Sequence, residues 1–174
     1  MDPYVLRIFQ YEVETQCEFV IRSGVLSDQA LRAYDTTGVW LHVQGVLVGA
    51  ANLSKMFWGS QGKREVEREP LRRSLQVADD SALRNPDLRN DFEHFDTRIE
   101  SWFSDPAHRN YSGRNIGPFP SFQMADGEHD HRRFSHYDPD SATVTFWEHE
   151  VNLSNVCSEA VRILPIVQAA LKDW

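Results

Sequence analysis

Arg89, Asn90 and His94 fall within one short run, LRNDFEHFDTRIESWF from Leu88 to Phe103, and are residue types that do chemistry together. An Arg offers a permanently charged planar fork that fits phosphate oxygens, and a His exchanges a proton near neutral pH. Together they suit cleavage of a phosphodiester. In RNA the internal 2'-hydroxyl attacks the adjacent phosphorus without a metal, provided an acid or base manages the protons and a cation steadies the charge gathering on the phosphate. To act jointly the three side chains need one rigid element. Leu88, Phe92, Phe95, Ile99 and Trp102 recur at steps of four and three, the apolar seam of a helix. At about 100° of turn per residue, Asn90, His94 and Thr97 fall opposite that seam with Arg89 beside them. A helix that groups an Arg, an Asn and a His away from its own core either shows them to water or uses them. The plain reading is a solvated face, since surface charges contribute little.

An Arg, a polar residue directly after it, three further residues and then a His, on a helix of a small helical protein, resembles the motif of the HEPN superfamily. Here it reads Arg89, Asn90, Asp91, Phe92, Glu93, His94. The resemblance implies a metal-independent endoribonuclease, toxin or defence effector, working without a cofactor. In that superfamily the cleft usually forms where two protomers meet, so it also implies a homodimer. Carried onto this chain, Arg89 contacts the scissile phosphate, His94 is the acid or base, and Asn90 orients the His or the phosphate. The superfamily includes members that bind RNA, a nucleotide or a partner protein such as a cognate antitoxin without cutting, so a non-catalytic module is the alternative. A scaffold bundle without a site is the third reading.

Two other clusters invite chemistry. In GEHDHRRFSH, His129, His131 and His136 stand beside Asp126, Glu128 and Asp130. Two His one residue apart point the same way on a strand, as a metal pair requires, but no matching ligand pair exists elsewhere, and no metal site is expected. His149, Glu148 and Glu150 read as a polar strand end. The basic run Lys63, Arg64, Arg68, Arg72 and Arg73, joined by Arg109 and Arg114, is a candidate RNA-backbone contact, with Arg72, Arg73, Arg109 and Arg114 as its binding residues. Interleaved Glu65, Glu67 and Glu69 weaken its field, which makes a solvated connector the plainer reading. Tyr111, Phe119 and Phe122 can stack on bases or anchor their loop.

The elements that must carry these residues follow from composition and periodicity. The 174 residues, 41% hydrophobic and 25% charged with a net charge of -8, describe one globular domain over 1–174 that has no broad attraction for nucleic acid. No secretory leader and no uncharged apolar run of membrane length are read, so the expected compartment is the cytoplasm and no membrane partner is expected. Cys17 and Cys157 read as core fillers. Leu6, Phe9, Val13, Cys17 and Val20 predict a helix over about 5–22 that stops at Gly24. Asp35 or Thr36 caps a second helix, whose seam Val39, Val43, Val46, Ala50, Leu53 and Phe57 ends at Gly59. Trp40 and Leu47 add a second apolar line, which fits either a central place in a bundle or a dimer interface.

Ser60 to Glu69 reads as a charged connector and Pro70 as the start of a short helix, while Asn85 and Pro86 open the helix that carries Arg89 and His94. From 105 to 150 Pro, Gly and polar residues predict an insertion, with a hairpin around Asp138, Pro139, Asp140 and Ser141. Leu153, Val156, Ala160, Ile163, Val167, Ala170 and Trp174 predict a last long helix, capped by Asn152 or Ser154 and kinked at Pro165. The expected fold class is therefore all-α: an antiparallel bundle of four long helices and a short one, with a loop and small β-hairpin inserted before the last helix.

Overall fold

The computed structural model describes residues 1–60, 63–84, 95–105, 111, 113–118, 122–123, 129–130, 134–146 and 149–172. The chain is mostly helical, with a small four-stranded sheet inserted before its last helix. It forms two compact units, one from Met1–Arg89 with Asn155–Trp174 and one from Asn90–Ser154.

The first unit is built on a helical hairpin. Helix α1 spans Pro3–Arg32, its first turn capped by Asp2, whose Oδ1 accepts from the amides of Tyr4 and Val5 at 2.9 and 3.2 Å, with Pro3 in the helix start where its missing donor costs nothing. Helix α2 spans Thr36–Trp58, capped by Asp35, which accepts from Gly38 N–H at 2.9 Å, and ends at Gly59 with φ +77°. Asn52 donates to Gln16 at 3.2 Å near one end of this pair, and a Cβ on Gly38 would meet Ala30 at 3.1 Å near the other, so the two helices run antiparallel.

The predicted stop at Gly24 is overturned: α1 continues eight residues past it. The glycine serves packing instead, because a Cβ there would stand 2.9 Å from Cys157 Sγ on the last helix. Gly49 does the same for α2, where a Cβ would meet Val20 Cγ2 at 2.6 Å. At Gly24 the sequence signal for a helix end thus marks a close approach between helices.

Helix α3 spans Glu65–Ser74, so half of the expected charged connector is helical and Pro70 lies inside the helix, not at its start. The last helix, α5, spans Leu153–Lys172 and likewise contains Pro165. Each proline removes the bond to the carbonyl four residues earlier, and those positions, Val66 and Val161, are exposed, so water is at hand for the orphaned carbonyl. Helix α5 runs antiparallel to α1: Arg7 donates to the carbonyls of Ala170, at 2.6 Å, and Leu171, while Gly24 faces Cys157. The core of this unit holds Val13, Cys17, Val20, Val43, Val46, Leu53, Phe57, Leu71, Leu75, Ile163 and Val167. Trp40 and Leu47 are also buried within the single chain, so the second apolar line of α2 reflects a central position and needs no partner. The two cysteines are free thiols, Cys17 buried and Cys157 half-buried.

Among its described residues the second unit contains helix α4, Phe95–Ser104, and six short strands. A meander of β4 (Ser135–Asp138), β5 (Thr143–Phe146) and β6 (His149–Asn152) is extended by β1 (Asn115–Ile116), parallel to β4, giving the order β1-β4-β5-β6. Strands β2 (Phe122–Gln123) and β3 (His129–Asp130) form a separate antiparallel pair. The predicted hairpin is present with the predicted turn. Asp138 Oδ1 accepts from Asp140 N–H at 3.1 Å and its Oδ2 from Ser141 Oγ at 2.7 Å, so the Asp builds the bend that Pro139 pre-sets. Ala142, at φ +52°, completes it. Strand β6 was not expected, and it leads into α5 without a loop.

The described part of the seam on α4 packs within its own unit. Trp102 is buried against Phe134 and Phe146, with Ile99 packed beside them, so this helix builds its core with the sheet. Among the described residues the long helices are therefore α1, α2 and α5, where four were expected.

Candidate functional site

The motif residues Arg89, Asn90 and His94, and Arg109 of the basic set, lie outside the described residues. What is described in this stretch is helix α4, Phe95–Ser104. Thr97, on the same predicted side as His94, is exposed, and Trp102 on the opposite side is buried, which is the two-faced character the spacing requires.

Arg72 is in the wrong place for RNA. It is 6% exposed, and its Nη1 donates to the carbonyls of Phe57 at 2.6 Å and Glu65 at 2.8 Å. The guanidinium lies 5.8 Å from the centre of the Trp58 ring. A cation at the last carbonyls of α2 satisfies groups that the helix cannot and complements its dipole, so Arg72 joins α2 to α3. Its position three residues after Glu69 in a charged run concealed this, because alternating charges read as surface.

The rest of the basic run is largely neutralised. Arg64 pairs with Glu67 at 3.2 Å, Arg84 with Glu65 at 2.9 Å, and the exposed Arg73 with Glu69. Arg68 stacks its guanidinium 3.9 Å from the ring centre of Phe9, and burial together with neighbouring Arg64 pulls its pKa down. A surface depression of about 450 Å³ opens over this region, lined by Lys63, Arg64, Glu65, Val66, Glu67, Glu69 and Arg72. Its walls carry both signs, so it offers no consistent field to an anion. Arg114 is exposed on the second unit, at φ +58°, with its amide donating to Ser135 Oγ at 2.7 Å. Of the four RNA-binding candidates, Arg114 and Arg73 are thus the two seen at the surface.

Beside Arg114 in sequence is an aromatic group. Tyr111 stacks on Phe103 of α4 with centroids 6.2 Å apart and contacts the buried Phe134 at 5.3 Å. Both Tyr111 and Phe103 are about half exposed, so Tyr111 anchors its segment to the core while keeping a face open. Phe119 lies outside the described residues, as does the Phe122 side chain.

Only part of the histidine cluster lies among the described residues. His136 is buried in β4, in the four-stranded sheet, while His129 and Asp130 form β3 of the separate pair; Asp126, Glu128 and His131 lie outside the described residues. Among the described residues no group of three His, Cys, Asp or Glu could hold a metal ion. Nor is any helix there long and apolar enough to cross a membrane.

Two further features stand out in the folded chain. The first is charge segregation: residues 90–154 contain 12 Asp and Glu against 5 Arg and no Lys, so nearly all of the net charge of -8 belongs to the second unit. The second is an exposed apolar line on α1, formed by Tyr4, Val5, Ile8, Tyr11 and Phe19. Its four-and-three spacing was available in the sequence, hidden by the seam on the other side. No family model, curated protein or solved structure matches the chain.

Proposed function

We propose that this chain is a metal-independent endoribonuclease of HEPN type, cytoplasmic and dimeric, of toxin or defence kind, in which Arg89 steadies the scissile phosphate, His94 transfers the proton and Asn90 orients one of them. The observation that carries this reading is the Arg89-Asn90-x-x-x-His94 spacing immediately ahead of the two-faced helix α4. In this proposal the helix extends back through 85–94 to the Asn85-Pro86 start, forming the fourth long helix and holding the three side chains on one face. The exposed Arg114 contacts the RNA backbone, with Arg109 beside it in sequence.

The test uses purified protein with mixed RNA in the presence of a chelator, compared with His94→Ala and Arg89→Ala. Cleavage by the wild type and its loss in both variants is expected. No wild-type cleavage, or equal cleavage by all three, sinks the assignment. A second reading, a non-catalytic module of the same type that binds a partner protein, is favoured by the acidity of residues 90–154, which repels a polyanion. It predicts binding that survives His94→Ala.

A further inference from the structure

The solvent face of α1 is apolar where a free helix should be polar. Tyr4 is 66% exposed, Tyr11 53%, Phe19 54% and Ile8 48%, with Val5 beside them. Tyr4, Ile8, Tyr11, Thr15 and Phe19 follow one another at steps of four and three, and at about 100° per residue they form a line facing away from the buried Val13, Cys17 and Val20. A fully buried aromatic side chain covers about 150–250 Å², so the open parts of this line sum to on the order of 500 Å², at the upper end of what a monomer leaves exposed without a use.

The charges beside the line choose its occupant. From Met1 to Phe19 the exposed charged side chains are Asp2, Glu12 and Glu18, all acidic, and the basic Arg7 is buried with its guanidinium on the carbonyls of Ala170 and Leu171. A second copy is a poor fit. An antiparallel pair that covers Tyr4 through Phe19 has its two-fold axis between Tyr11 and Glu12 and sets the two Glu12 carboxylates against each other. A parallel pair sets Glu18 against Glu18. A membrane surface is also a poor fit, since interfacial helices carry Lys and Arg around their apolar face.

We infer that the exposed face of α1 docks a basic amphipathic helix of a partner protein, with the partner's apolar residues lying along Tyr4, Ile8, Tyr11 and Phe19 and its Lys or Arg reaching Glu12 and Glu18. Such a helix supplies an i, i+3, i+4, i+7 set of anchors to match the line, and cations where this surface has its carboxylates. The inference does not rest on the ribonuclease reading and holds whether or not His94 cleaves RNA.

The probe is a fluorescein-labelled 18-residue peptide of Leu and Lys, with Leu at helical spacing. A peptide with Glu in place of Lys, and a scrambled Leu/Lys peptide that lacks the stripe, serve as controls. Fluorescence anisotropy with the full chain should show saturable binding of the Leu/Lys stripe alone. The double variant Ile8→Ser/Tyr11→Ser should bind it at least tenfold more weakly at an unchanged unfolding midpoint. Glu12→Lys/Glu18→Lys should reverse the preference toward the Leu/Glu peptide; because this variant leaves the apolar line intact, it separates charge recognition from any loss of fold. Equal binding by wild type and both variants overturns the inference. So does a dimer in light scattering at micromolar concentration that Tyr11→Ser dissolves, which makes a second copy the occupant. Flotation with neutral phosphatidylcholine vesicles that the same variant abolishes overturns it as well.

Discussion

Replacing Arg72 with Met separates the buried role of this side chain from the surface role its neighbours suggest. The Met keeps the aliphatic stem along Trp58 but removes the donor that reaches the carbonyls of Phe57 at 2.6 Å and Glu65 at 2.8 Å. A hydrogen bond from a charged donor contributes about 1.5–3 kcal/mol, and stranding a buried acceptor costs a similar amount. The Glu65 carbonyl sits in the first turn of α3, where the helix supplies another donor, so most of the loss falls on Phe57 at the end of α2. The contact to Asp79 at 3.5 Å adds little, because that carboxylate is 71% exposed. The expected destabilisation is about 2–4 kcal/mol. For a chain of this size each kcal/mol shifts the melting midpoint by about 2–4 °C, so Arg72→Met should melt about 5–15 °C lower. Arg72→Lys, which retains a cation but not the fork, should fall in between. Thermal unfolding followed by circular dichroism at the helical band reads both. If Arg72→Met melts with the wild type while RNA retention drops, the side chain acts as a surface cation and the argument for a buried link between α2 and α3 is wrong.

Gly24→Ala should destabilise the wild type, because its Cβ would stand 2.9 Å from Cys157 Sγ, whereas in a Cys157→Ala background it should stabilise by up to about 1 kcal/mol through helix propensity; the same sign in both backgrounds, measured by urea unfolding, refutes the close-approach reading. Burial, then Glu159 and Glu18, push the Cys17 thiol up to about 12, and burial followed by Asp28 raises Cys157 to about 11. The folded state thus keeps protons that an unfolded thiol releases from about pH 9 upward, so this contribution to stability is intact below that and lost as pH rises toward the folded values. Denaturation midpoints at pH 8 and pH 10.5 should therefore fall more steeply for the wild type than for Cys17→Ala/Cys157→Ala; parallel slopes in the two proteins count against it.

Much of unit one was legible because its signals are periodic. Val39, Val43, Val46, Ala50, Leu53 and Phe57 repeat over about five turns, Asp35 and Gly59 punctuate them, and the structure buries all but Ala50, which is half-buried. Punctuation misled where a residue type has two uses. Gly24 ends helices in general, but here lets two helices touch, and Pro70 starts helices in general, but here is tolerated where its missing bond faces water. The partner of α4 was not legible either, since an apolar seam states that a face is buried and not against what; Trp102 could as well have faced α2 as Phe134. For the site, the types and spacing of Arg89 and His94 are sequence facts, whereas the fate of Arg72 depended on which carbonyls lay within its reach, a tertiary property that a charge pattern does not encode.

The bonds from Arg7 to the carbonyls of Ala170 and Leu171 join positions more than 160 residues apart, and with the approach of Gly24 to Cys157 they close the first unit along its whole length. On a translating ribosome this closure must await synthesis of the second unit. The α1–α2 hairpin emerges early with short-range contacts, but its open side, destined for Ile163 and Val167, has no cover until α5 has been made. The intervening sheet and α4 have their own core in Trp102, Phe134 and Phe146, so they can mature while the hairpin waits. The open side of the hairpin thus stays uncovered for the time taken to synthesise the insertion, at about 5–20 residues per second. Lengthening that insertion would prolong the vulnerable interval without changing any contact in the finished protein.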